Sequence, residues 1–169
     1  NYYNTVGYRD AKIVYDTVVV KPTGVVDVKI KVEEGNKYYF GNITFKGNTK
    51  YTSDVLSTQL GIKKGDVYNA ELLQKRINGD MENGDISSLY YDDGYLFFNI
   101  NPIETAVYND TIDIELRVNE GSQATIKNII IDGNDKTNEH VIRRELRTYP
   151  GDKFSRSNLI RSQRELANL

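Results

Sequence analysis

Residues Ile43 to Asp66, ITFKGNTKYTSDVLSTQLGIKKGD, return 86 positions later as Ile129 to Asp152, IIIDGNDKTNEHVIRRELRTYPGD. Gly47-Asn48 becomes Gly133-Asn134, Val55-Leu56 with Leu60 becomes Val141-Ile142 with Leu146, and Gly65-Asp66 becomes Gly151-Asp152. A fixed spacing held through apolar run, turn and helix marks a repeated structural unit. Working outward, Glu34-Gly35 matches Glu120-Gly121, Tyr68 matches Phe154 and Leu73 matches Leu159. Upstream, Val26, Val28, Ile30 and Val32 match Ile112, Ile114, Leu116 and Val118 at the same spacing. Gly7-Tyr8 with Ile13 matches Gly94-Tyr95 with Ile100 at 87, so the intervening loop differs by one residue. The chain therefore reads as the tail of one unit over 1–36, a whole unit over 37–119 and the front of a third over 120–169.

The periods assign the elements. Residues 26–32 and 111–118 alternate apolar and polar, as a strand with one wet and one dry face does. Tyr39, Ile43 and Phe45 share a strand face, and Gly47-Asn48 ends that strand because both residues accept positive φ. Thr52 or Ser53 caps a short helix with Val55, Leu56 and Leu60 as its apolar stripe, and its counterpart runs from Asn138 to Arg147. A second helix starts at Asn69 and again at Ser155, where Leu159, Gln163, Leu166 and Leu169 fall at helical spacing. In the whole unit Leu72, Leu73, Arg76 and Ile77 begin this helix, but Asn78-Gly79 and Asn83-Gly84 interrupt it before Leu89-Tyr90-Tyr91. Five acidic residues and no basic one lie between Asp80 and Asp93, which reads as a solvated bulge. The order β-α-α-β-β closes most simply as a three-stranded sheet with two helices on one face, an α+β unit. A unit of this size buries only about 60% of its extended-chain surface, so its neighbours add to its stability.

Composition removes most chemistry. With 169 residues, 22 Lys+Arg against 24 Asp+Glu and a net charge of −2, bulk nucleic-acid binding is disfavoured. Cys is absent, which excludes disulfides, thiolate metal sites and a cysteine nucleophile. His140, the single histidine, aligns with Asp54 at a helix start, where a polar surface residue needs no further role. The adjacent Asp92 and Asp93 point apart in a turn and suit neither a catalytic pair nor a metal clamp, and Asp10, Asp16 and Asp27 lack calcium-loop spacing. No apolar run approaches a membrane span, and Asn1 opens polar sequence without a targeting segment. The expectation is a non-enzymatic chain with no cofactor, no metal and no small-molecule substrate.

The ordered set β-α-α-β-β, the ITFKGN strand end, the GDVY and GDKF loops, the DGY before the fourth element and the RSQRELANL helix resemble POTRA domains. The likeness is to the periplasmic arrays of outer-membrane assembly factors in the Omp85 superfamily, with an Asn- and Tyr-rich flavour similar to Bacteroidetes versions. It covers all 169 residues as an incomplete, a complete and an incomplete unit. The resemblance implies a three-stranded mixed sheet, a location on the periplasmic side of the outer membrane and a C-terminal barrel in the parent protein. It also implies unfolded outer-membrane β-barrel proteins and accessory periplasmic or lipoprotein subunits as partners. Ile43, Phe45, Gly47, Tyr68, Gly94, Ile129, Ile131, Gly133 and Phe154 take structural roles on this pattern.

A small sheet with a free edge offers unpaired backbone groups to an extended partner. By the resemblance, the strand after the second helix, about Tyr95 to Asn101, lies at that edge. Its alternation puts Tyr95, Phe97 and Asn99 on one face and Leu96, Phe98 and Ile100 on the other, so the former are candidate partner contacts. Between residues 143 and 165 seven basic side chains face three acidic ones, which makes Arg143 and Arg147 candidates for an acidic partner or membrane surface. Two further readings stay open: a POTRA array serving a secretion or autotransporter-assembly barrel, and an adhesive repeat module using the tyrosine doublets.

Overall fold

The computed structural model describes residues 2–80 and 84–168. In chain order the elements are α1 (Tyr2–Thr5), β1 (Lys12–Val20), β2 (Val26–Glu33), β3 (Tyr39–Lys46), α2 (Ser53–Leu60), α3 (Ala70–Ile77), α4 (Ile86–Asp92), β4 (Asn99–Tyr108), β5 (Thr111–Asn119), α5 (Glu139–Glu145) and α6 (Arg156–Leu166). β1 and β2 form an antiparallel hairpin in which Val18 faces Val28. β3, β5 and β4 form a separate sheet in that order. The turn from β4 to β5 passes through Asn109 at φ 53°, a conformation asparagine tolerates. β3 runs parallel to β5: the Asn42 N–H meets the Asp113 carboxylate at 2.6 Å and the Thr49 N–H meets that of Glu120 at 2.8 Å, both 71 residues apart. A constant difference of this kind requires both strands to run the same way. The sheet is mixed and carries packed helices, the α+β architecture expected from the repeat.

Spatial proximity groups the chain into two compact units. One comprises Asn1–Thr44, Ile62–Gln74 and Ile103–Glu115; the other comprises Phe45–Gly61, Lys75–Pro102 and Leu116–Leu169. The first is built on Phe40, Ile62, Tyr68, Leu73, Ile112 and Ile114, all buried, with the Phe40 and Tyr68 rings 5.0 Å apart. Its β1–β2 hairpin departs from the expected dry face: Val18, Val26, Val28 and Ile30 are all exposed. The apolar alternation is present, but the described residues before β1 hold only the four-residue α1, too short to back the hairpin.

The second unit is built on Leu56, Leu60, Ile77, Ile86, Tyr90, Phe98, Ile100, Leu116 and Val118. Tyr90 stacks on Phe98 with centroids 4.0 Å apart and takes the Tyr51 ring edge-on at 5.0 Å. The Thr52 hydroxyl caps α2 by accepting the Val55 N–H, and the Ser155 hydroxyl caps α6 by accepting that of Asn158. The interrupted helix is two helices, α3 and α4, and the link between them is partly interior, contrary to a solvated bulge. Asp80 and Asp85 are buried, and the Asp85 carboxylate accepts the N–H groups of Gly79 (2.7 Å), Asp80 (3.1 Å) and Ser88 (2.6 Å). The carboxylate thus replaces the helical bonds that the break removes, and the Ser87 hydroxyl donates to the Ile77 carbonyl at 2.8 Å. Asn83, with Met81 and Glu82, and also Leu169 lie outside the described residues.

The strand expected over Ile129–Ile131 does not form. The segment belongs to no strand or sheet, and Ile130 is 80% exposed while Ile129 and Ile131 are half-buried. β3 is held by pairing to β5, and the described residues after 124 contain no counterpart of β5. In α6, Leu159 is exposed and Leu166 half-buried, for want of the same sheet.

Candidate partner-binding edge and repeat junction

Because β5 is the central strand, β4 has one side without a strand partner among the described residues. Pro102 within it has no N–H to offer, a feature tolerated on edge strands. β4 begins at Asn99 and not at Tyr95. Residues 94–98 are wound into turns in which the Leu96 N–H reaches the Gly94 carbonyl at 2.9 Å and the Phe98 N–H reaches that of Tyr95 at 3.0 Å. These local bonds take groups a strand ladder would need, and the two-residue alternation fails there. Tyr95 is half-buried, its ring edge-on to Tyr90 at 5.8 Å, while Leu96 and Phe97 are both exposed, Phe97 to 67%. Phe98 and Ile100 are buried and Asn99 is exposed. An exposed phenyl group immediately precedes a free strand edge.

The root of this loop is also where one repeat hands over to the next. The Ala124 N–H donates to the Gly94 carbonyl at 2.7 Å, and the Tyr38 N–H donates to that of Gly7 at 2.8 Å. The Tyr95 N–H donates to the Tyr90 carbonyl and the Tyr8 N–H to that of Tyr3, both at 2.9 Å. Bridges join Tyr39 to Val67 and Thr125 to Lys153. The spacing of 86 to 87 is thus realised bond by bond, once in each compact unit. Gly7 and Gly94 sit at φ +98° and +91°, and a Cβ on either would lie 3.2 Å from the Tyr38 or Ala124 carbonyl oxygen, so the hand-over needs glycine.

The side chains around the two hand-overs are partly repeated. The Tyr90 hydroxyl donates to Glu120 at 3.0 Å, and Glu120 also accepts the N–H of Thr49 and of Lys50 (2.9 Å) and the Thr49 hydroxyl. Partial burial opposes ionisation of Glu120, but these four donors outweigh it and hold the carboxyl below its ordinary value. Burial first, then Glu120, push the Tyr90 hydroxyl well above its usual range. Tyr3 and Glu34 occupy the equivalent positions, and the Tyr3 hydroxyl is likewise raised, by loss of solvent and by Glu34. Around the first hand-over, the Tyr38 hydroxyl donates to Asp10 at 2.7 Å, and Glu104 receives Arg9 at 2.7 Å and the Tyr68 hydroxyl at 3.2 Å.

Arg143 and Arg147 are already engaged. Arg143 pairs with Glu139 at 2.6 Å, and Arg147 forks onto Glu165 at 2.7 and 2.9 Å. Of the remaining sequence candidates, Tyr68 is buried, Ile43, Phe45 and Phe154 are half-buried, Gly47 lies against the Val118 carbonyl and Gly133 is exposed. Sequence reasoning passed over Phe40, Asp85, Tyr90 and Glu120. The recurrence of Glu-Gly at 34 and 120 was the available signal for Glu120. Among the described residues no group of three His, Cys, Asp or Glu side chains is placed to hold a metal ion, and no helix is long and apolar enough to cross a membrane.

One βαααββ unit with an open sheet edge, joined by glycine-rooted hand-overs to parts of a unit before it and a unit after it, makes this a tandem-repeat chain. The family model for POTRA, described as a surface antigen variable number repeat, matches residues 38–121 and 124–169, and the chain belongs to this family. It is 29% identical over 165 residues to the outer membrane protein assembly factor BamA of Nitratidesulfovibrio vulgaris and 27% identical over 165 residues to that of Neisseria meningitidis. These alignments cover 95% and 96% of the chain and 20% of each relative, so the chain spans about a fifth of their length. The crystal structure of Haemophilus influenzae BamA POTRA3-5 superposes with a TM-score of 0.74 and 23% identity, covering 99% of this chain and 65% of that one, which shows the same fold.

Proposed function

We propose that the chain is a periplasmic, non-enzymatic segment of an outer-membrane protein assembly factor, made of repeats over 1–36, 37–119 and 120–169, that captures unfolded β-barrel precursors by strand addition. The observation that carries this reading is the open β4 edge with the exposed Phe97 before it. A precursor strand supplies N–H and C=O groups to β4 whatever its sequence, and an aromatic contact at Phe97 adds apolar area. Asn99, exposed at the first position of β4, sets where pairing begins; Tyr95 supports the loop from below. The proposal extends to a C-terminal barrel anchoring the parent protein and to accessory subunits docking elsewhere on the array. The internal ion pairs of Arg143 and Arg147 leave those two side chains little charge to offer such a subunit. The Asn- and Tyr-rich composition supports a source in the Bacteroidetes.

The test is site-specific photocrosslinking to an unfolded outer-membrane protein. A benzophenone side chain at Phe97 or Val107 should crosslink, and one at Asp54 on α2 should not. Proline placed in turn at Ile103, Glu104, Thr105, Ala106 and Val107 should abolish capture at alternate positions, those whose N–H faces outward, while the circular dichroism of those variants stays native. Equal crosslinking from Phe97 and Asp54 would refute edge capture.

A further inference from the structure

We infer that Asp92 and Asp93, at the end of α4, form an ionic clasp that fixes the orientation of residues 124–168 on the repeat that precedes them. One Asp92 oxygen accepts the Ser157 N–H at 2.8 Å and the Ser155 hydroxyl at 3.1 Å, so α4 ends on the first turn of α6. The Asp93 carboxylate divides between two ammonium groups, Lys153 on one oxygen at 2.9 Å and Lys50 on the other at 2.7 Å. The Gln123 side-chain amide donates to the Asp93 carbonyl at 2.6 Å, and the Arg156 guanidinium lies over the Tyr91 ring at 5.4 Å. Two consecutive residues thus reach the linker, the loop before α6 and the first turn of α6.

The arrangement differs from an ordinary surface ion pair. The Asp93 side chain is 22% exposed and holds two cations from different segments, and Asp92 receives a backbone donor that cannot rotate away. Charge-assisted bonds to fixed donors resist screening better than a lone exposed pair. The clasp is also particular to this joint. At the repeat spacing, Asp92 and Asp93 correspond to Thr5 and Val6, and Lys153 corresponds to Val67. The backbone hand-over through glycine is common to both joints; the carboxylates that pin α6 are not. Repeats connected by a short linker alone swing freely unless something ties them, and here the tie is electrostatic.

The chain has no Cys, so a spin-label pair can be introduced at Ser57→Cys and Arg164→Cys, both exposed, and their separation read by pulsed electron resonance. The parent should give one narrow distance distribution. Asp92→Ala/Asp93→Ala should widen it about twofold or more, and Lys153→Gln should widen it in the same direction. The Asp135→Asn control should leave it unchanged. If the double variant loses its helical circular dichroism, Lys153→Gln decides. Parental width in a folded double variant or in Lys153→Gln, or equal widening in the control, overturns the clasp.

Discussion

Replacing Asp85 tests whether a buried carboxylate really substitutes for the missing turn of helix between α3 and α4. Its side chain is fully buried and accepts three backbone N–H groups, one of them the cap of α4. A hydrogen bond to a charged acceptor contributes about 1.5–3 kcal/mol net, and loss of a capping side chain costs about 0.5–2 kcal/mol. The three donors share one acceptor group, so their losses are not independent. Some amides regain partners when the turn relaxes, which puts the expected cost of Asp85→Ala at about 3–5 kcal/mol. That is a large fraction of the roughly 5–15 kcal/mol that holds a domain together. Asp85→Asn keeps one oxygen for the Ser88 N–H but turns an amide NH2 towards the donors of Gly79 and Asp80, so it should recover only the capping part. Urea unfolding at neutral pH, followed by far-ultraviolet circular dichroism, reads both variants. The midpoint should drop with little change in slope, further for Ala than for Asn. If both variants fall within about 0.5 kcal/mol of the parent, the carboxylate is not what closes the break.

Glu120→Gln should alter acid stability in a defined direction. The folded carboxyl sits below its ordinary value near 4.5, so its contribution is present above that pH and is lost as pH falls through the folded value; the variant should be less stable at neutral pH and lose less on acidification, measured as melting temperature against pH. Phe40→Ala should cost about 3–5 kcal/mol by opening a cavity beside Tyr68, whereas the half-buried Phe45→Ala should cost about 1–2 kcal/mol; a reversed order in urea unfolding would refute the placement of the core. Tyr90→Phe keeps the stack on Phe98 but removes a donor from the ionised Glu120, for an expected loss of about 1.5–3 kcal/mol, and the same exchange at Tyr3 should cost less because Glu34 is exposed.

The repeat, the order of elements along the chain and the caps were legible in the sequence because each rests on local chemistry at a fixed spacing. Thr52, Asn69 and Ser155 cap helices as their types require, and Ile112, Ile114, Leu116 and Val118 are buried along β5 as their alternation implies. What periodicity could not supply was the neighbour. Val26, Val28 and Ile30 carry the same pattern as β5 but stay exposed, and Ile129 to Ile131 carry the pattern of β3 but form no strand. The loop at 94–98 was misread because four apolar residues in a row suit a strand or a turn equally well, and the decision fell to Gly94 and the bonds around it. Asp85 resembled its acidic neighbours in sequence; only its burial separates it from them.

On the proposed reading, the segment from Tyr90 to Tyr108 joins two tasks that usually conflict. An open strand edge invites indiscriminate pairing, and proteins limit the hazard with prolines, charges and short strands. Here β4 contains Pro102 and Glu104, and its approach is held at Tyr90, Asp92, Asp93 and Gly94 by contacts to Glu120, Ala124, Lys153 and Ser157. Those contacts order the loop that presents Phe97 before any partner arrives. An extended chain pairing with β4 then bears its own ordering cost and little of the edge's, which favours weak, sequence-tolerant capture over loss of binding altogether. The same contacts seat the following repeat, so on the proposed reading a change that loosens the joint at Asp93 also loosens the aromatic approach to the edge, and the two should fail together when Lys153 is removed.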